Sequence, residues 1–91
     1  AVKFATTSTG ATVSGNVTST GNVISSGLIQ HKVYTLQAGV DVIPAATGLA
    51  GTRAFVSDSS NTLASHHGQT VAGGGANFVP VFSDGTNWIV G

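Results

Sequence analysis

Cysteine is absent from this chain, so no disulfide can staple it and its redox compartment is unreadable. Charge is nearly absent as well: 7% of residues are charged, against about 25% in an ordinary domain. Lys3, Lys32, Arg53, Asp41, Asp58 and Asp84 sum to zero. A chain without a basic patch has no electrostatic footprint for nucleic acid. It also has no acidic tail and no basic amphipathic helix. Glutamate is missing, and the three aspartates leave little for paired-carboxylate glycoside chemistry. No apolar run approaches the roughly 18 residues of a membrane-spanning helix, so no membrane insertion is expected. The opening Ala1-Val-Lys-Phe-Ala-Thr6 lacks the apolar core of a signal peptide. It does not begin with methionine, and the chain reads as a fragment, a processed product or an engineered piece.

What is present is apolar or small. Hydrophobic residues make up 41% of the 91 residues and glycine supplies 13. A monomer with zero net charge and so few ionised groups is poorly protected against association. A domain this small usually needs disulfides, metal or partners to supplement its core. Burial against copies of itself meets both difficulties, with Ser, Thr, Asn and Gly left to face water.

The start of the chain repeats. Val13-Ser-Gly-Asn-Val-Thr18, Ser19-Thr-Gly-Asn-Val-Ile24 and Ser25-Ser-Gly-Leu-Ile-Gln30 place glycine at Gly15, Gly21 and Gly27, and an aliphatic residue at Val17, Val23 and Ile29. An even period keeps those side chains on one face of an extended strand. One aliphatic residue in six is too few for a monomer core, but it suffices if several chains turn Val17, Val23 and Ile29 to a shared axis. Three other organisations fit the same residues. They are a flexible Gly/Ser-rich linker, a short meander turning at Gly15-Asn16 and Gly21-Asn22, and rungs of a β-helix.

The remainder reads as all-β. β-Branched residues are abundant and helix signals are confined to Leu63-Ala-Ser-His66. Leu28–Leu36 is the longest alternating run, with Ile29, His31, Val33 and Thr35 on one side and Leu28, Gln30, Lys32, Tyr34 and Leu36 on the other. Val40–Ile43 is a short strand stopped by Pro44, Thr52–Ser57 another, Asp58–Asn61 a turn, and Gln69–Ala72 a short strand before Gly73-Gly-Gly75. Asn77–Ser83 and Thr86–Val90 form a hairpin about Asp84-Gly85, a tight-turn pair that tolerates positive φ. Pro80 lacks an N–H, which predicts an edge strand or one open ladder position. Trp88 is expected in the hairpin core.

The tail carries a family pattern. Thr52-Arg-Ala-Phe-Val-Ser-Asp58, followed by Val71-Ala-Gly-Gly-Gly-Ala-Asn-Phe-Val-Pro-Val-Phe-Ser-Asp-Gly-Thr-Asn-Trp-Ile-Val-Gly91, resembles the C-terminal module of tailed-bacteriophage tail fibre and tail spike proteins. The resemblance covers residues 52–91 with a gap, and the Gly-Asn-Val repeats resemble fibre stalk sequence. It implies a homotrimeric, all-β, extracellular part of the virion tail, at or near its host-contacting end, with Gly91 as a native end. Expected are a repeat-built or intertwined β stalk at residues 1–30 and a small antiparallel β head at 31–91.

No catalytic constellation stands out. The aspartates lie near strand ends or turns, where aspartate is common. Nothing resembles a nucleophile elbow, and Gly73-Gly-Gly75 is followed by neither the Lys-Ser/Thr pair nor the helix of a phosphate loop. No cofactor is expected. An axial histidine in a trimer becomes three at one level, and some phage fibres and spikes hold a metal this way, usually with His-x-His. His66 and His67 are adjacent, and neighbours on a strand point apart, so no metal is assigned and His31 is the weak candidate. Asn61, His66, His67 and Gln69 offer polar side chains suited to sugar hydroxyls on loops of a rigid scaffold. The expected role is attachment without catalysis, the partner being a bacterial cell-surface receptor, a polysaccharide or an outer-membrane component. A purely structural trimerisation or capping role in a tail fibre, tail spike or head fibre is the alternative. Asn16-Val-Thr18 fits a glycosylation pattern that has no meaning in a phage protein.

Overall fold

The computed structural model describes residues 13–37, 39 and 41–91. It is a small β protein with a mixed four-stranded sheet and one helical turn. The elements are β1 (Val33–Tyr34), β2 (Arg53–Ser59), α1 (Leu63–His66), β3 (Asn77–Ser83) and β4 (Trp88–Val90), and the strands lie in the order β1-β2-β3-β4. β1 runs parallel to β2, with Val33 opposite Phe55 and Tyr34 opposite Val56. The other pairings are antiparallel. The head is therefore mixed and not antiparallel throughout. Residues 35–52 make the crossover that a parallel pair requires.

Alternation along the strands sets the core. Ala54 and Val56 of β2, Val79 and Val81 of β3, and Trp88 and Val90 of β4 are buried on one face, joined by Ala46 from the crossover. Tyr34, Leu36, Ile43, Leu49 and Val71 close over them. The Trp88 indole donates to the Pro44 carbonyl at 2.8 Å, so its one polar atom is satisfied inside. Full burial of a valine contributes about 1.5–3 kcal/mol. Four valines, two alanines and a tryptophan are a thin core for 91 residues.

A bulge on β2 shifts the β2–β3 register by one residue between Val56 and Ser59. It re-aims the side chains that follow. Ser59 turns inward, where its hydroxyl accepts from the Asn61 amide (2.9 Å) and donates to the Asn61 carbonyl (3.1 Å). Asp58 is freed to reach β1's exit, accepting from the amides of Leu36 (2.8 Å) and Gln37 (3.2 Å). The bulge also brings Gly75 against the chain: a Cβ there would lie 2.3 Å from the Ser59 carbonyl oxygen.

Several expectations change in detail. Only Val33–Tyr34 of the Leu28–Leu36 run is a strand, because none of the described residues pairs with residues 28–32. Alternation holds around Val33–Leu36 nonetheless, with Val33 beside Phe55 on one face and Tyr34 and Leu36 against the core on the other. Val42 forms a single bridge with Thr35, and Thr70 a single bridge with Ile89, in place of the two short strands; Val40 lies outside the described residues. β2 runs on through Asp58 and Ser59, which were expected in a turn. Pro80 stands in an interior strand, not an edge. The Asp84-Gly85 turn is a four-residue loop, since Ser83 pairs with Trp88. Gly85 alone has positive φ, +98°, while Asp84 accepts from the amides of Thr86 (2.9 Å) and Asn87 (2.8 Å).

Among the hexads, the described part covers residues 13–30. All of it is exposed, and no strand pairing occurs within it, so the meander is not formed there. The second and third hexads nevertheless share a conformation. The Ser19 hydroxyl closes on Gly21, accepting its N–H and donating to its carbonyl, and six residues on Ser25 does the same with Gly27. Val13 has no hydroxyl, and Gly15 adopts φ +110°. The rest of the 1–30 segment lies outside the described residues.

Candidate functional site

Two regions carry the exposed chemistry of the head. The first is the polar segment after β2. Thr62 caps α1 by accepting from the Ser65 amide (3.3 Å), and Gly68, Gln69 and Val71 then bond to β4. The amide of Gly68 donates to Val90, that of Val90 to Gln69, and that of Val71 to Trp88. This irregular strip covers the free edge of β4.

The structure distributes the four receptor-binding candidates unequally. Asn61 is buried, and its side-chain oxygen accepts from the Ala72 amide, tying the two ends of the segment together. Its acceptor is therefore used by the fold. His66 is half-buried and its Nδ1 accepts from the Thr62 amide at 3.1 Å, which leaves Nε2. His67 and Gln69 are exposed, and His67 stands beside Gly91. The site shrinks to an exposed strip with His67 and Gln69 at its centre. Among the described residues no three His, Asp or Glu come together within one chain.

The second region is the outer face of the sheet. The residues alternating with the core are Arg53, Phe55 and Ser57 on β2, Phe78, Pro80 and Phe82 on β3, and Ile89 on β4. Each is half-buried or exposed. The Phe55 and Phe78 rings stack at 5.6 Å, and the His31 ring lies 5.8 Å from Phe55. Leu28, Ile29 and Gln30 come down beside them, leaving an open cleft of about 640 Å³ lined also by His31 and Val33. The weak metal candidate His31 thus sits against the aromatic pair, between this cleft and a smaller one that holds Lys32 and Arg53. Of the three axis candidates, Val17 and Val23 remain out along the hexads, and Ile29 enters this cleft.

The chain matches no family model, and it matches no curated protein or solved structure. The site is therefore argued from its own chemistry.

A smaller cleft of about 240 Å³ lies between β1 and the crossover and holds Lys32 and Arg53. Both cations are engaged. Lys32 lies 3.0 Å from Asp41 and 5.3 Å from the Tyr34 ring centre, and its bond to Asp41 raises its pKa. Arg53 donates to the Gly91 carbonyl at 2.7 Å. That leaves little free charge for an anionic ligand.

The outer face escaped the sequence reading, although its signal was present. Phe78-Val-Pro-Val-Phe82 is apolar at every position, and a strand without polar alternation is one covered on both faces.

Proposed function

We propose that this chain is a module of a tailed-phage tail fibre or tail spike, a homotrimeric extracellular part of the virion tail that serves attachment to the bacterial surface by binding without catalysis. One observation carries the reading: a hexad repeat of which the second and third units share one Ser–Gly conformation, yet which is exposed along residues 13–30. A segment with a recurring Ser–Gly geometry and no cover from the described residues of its own chain is suited to a shared axis. The glycines agree. A Cβ on Gly21 or Gly27 would meet nothing within 4 Å, and neither has positive φ, so the isolated chain gives no reason for glycine there. Close-packed copies supply one. The tail resemblance in residues 52–91 supports the same reading.

In this reading the receptor is a bacterial surface polysaccharide or outer-membrane component, met by the exposed His67 and Gln69. Retention of labelled protein on a panel of bacterial cells tests it, with His67→Ala and Gln69→Ala compared with the parent. Binding lost in these variants supports attachment through the strip. A second reading, a trimerisation or capping module with recognition elsewhere, is favoured by the internal use of Asn61 and of His66 Nδ1. Retention unchanged by the variants, or absent from the parent, supports that second role.

A further inference from the structure

We propose that the outer face of the sheet, centred on Phe55 and Phe78 and continued by Ile29, is the surface on which copies of this chain meet. The inference rests on the trimeric reading above and names the surface that reading lacked.

Continuity is the first argument. Ile29 belongs to the aliphatic series of the hexads, and the same residue lines the cleft with Phe55 and Phe78. A neighbour that covers the hexad aliphatics necessarily comes down onto the aromatic pair. Leu28 is 100% exposed, Ile29 61%, Phe78 59% and Val33 39%. They form one contiguous apolar surface of a kind that soluble monomers rarely present.

Area is the second. The whole chain exposes 6700 Å², about 1,800 Å² more than the roughly 4,900 Å² of a compact monomer of its mass. All of residues 13–30 is exposed, as are Phe78 and Val33 on the outer face. A subunit of a cyclic trimer is covered on two sides, and a standard interface takes about 800 Å² from each partner.

Charge selects the occupant. No Lys, Arg or Asp lines the cleft; its polar members are Gln30 and His31. A polysaccharide needs convergent hydrogen-bonding groups, which this face lacks. Another copy brings the same apolar cleft, with Arg53 of the face already held by the Gly91 carbonyl, and three such faces turned to a threefold axis exclude water together.

The test is sedimentation of the full chain over a range of concentrations, comparing the parent with Phe78→Asp and Ile29→Asp. Leu63→Asp is the control, an exposed apolar residue on α1 away from the face. Trp88 emission reports the fold from the opposite face of the sheet. Phe78→Asp and Ile29→Asp should stay folded and raise the concentration at which the trimer dissociates by at least about 30-fold, the scale of a hot-spot residue. Leu63→Asp should leave it unchanged. A parent trimer that Phe78→Asp does not weaken, or that Leu63→Asp weakens equally, overturns the assignment of the face while the trimer stands. A parent that sediments as a folded monomer removes the trimer itself. Bright anilinonaphthalene-sulfonate fluorescence from the native parent trimer would show the face open and also overturn the proposal.

Discussion

Arg53 donates to the carbonyl of Gly91 at 2.7 Å. That carbonyl lies opposite Pro80, whose own carbonyl accepts from the Gly91 amide at 3.0 Å. In such a pair the reciprocal bond would come from the N–H of residue 80, which proline lacks. Arg53 fills the vacancy from two strands away, and so an interior strand tolerates a proline. Arg53→Met should cost about 1 kcal/mol in the parent and less when Pro80→Ala restores the donor. Urea unfolding followed through Trp88, at one fixed protein concentration, measures the coupling as a double-mutant cycle.

Asp58 ties β2 to the exit of β1 through two amides. Asp58→Ala removes both acceptors and leaves the amides of Leu36 and Gln37 unpartnered. A loss of about 2 kcal/mol is expected, with Asp58→Asn losing less because one acceptor survives. Amide hydrogen exchange at Leu36 and Gln37 checks the cause, since both should exchange faster in Asp58→Ala.

Two glycine substitutions should separate the head from the assembly. Gly75→Ala forces a methyl into the backbone of Ser59 and Ser60 and should destabilise the head by at least about 2 kcal/mol. Gly21→Ala meets open space within its own chain and should leave the head's unfolding unchanged. If copies pack along the hexads, it should weaken their association, which dilution in a light-scattering cell reads directly.

The β3–β4 turn should be acid-sensitive. Asp84 accepts the Asn87 and Thr86 amides, and these bonds hold its carboxyl below the ordinary value of 3.8. The folded value being the lower one, the turn's contribution is complete above the ordinary value and is lost as pH falls through the folded one. NMR titration of the Asp84 carboxyl should give a midpoint below 3.8, and the Thr86 and Asn87 amide shifts should follow it. A midpoint at or above 3.8 would contradict the capping role.

The β class, the helical turn at Leu63–His66, the buried Trp88 and the strands around Ala54–Val56 and Asn77–Ser83 were legible because each rests on local pattern. Alternation along Leu28–Leu36 holds around Val33–Leu36 only: Leu28 and Gln30, expected opposite Ile29 and His31, line the same cleft with them, since strand length depends on a partner that the sequence does not display. Of the two expectations for Pro80, the open ladder position holds and the edge strand does not; what could not be read is that Arg53, 27 residues away in sequence, fills the position. Asn61 looked like a presented loop residue; its bond to Ala72 depends on the chain returning through α1 and along β4 at Gly68–Val71. The outer apolar face was written in Phe78–Phe82 and became readable once both faces of β3 were placed.

The central claim is that copies of this chain assemble about the hexads. The most direct measurement is the solution mass of the full chain by light scattering, with Trp88 emission recorded alongside. The account predicts three times the chain's 9.0 kDa. A monomer of 9.0 kDa with Trp88 still buried would contradict it.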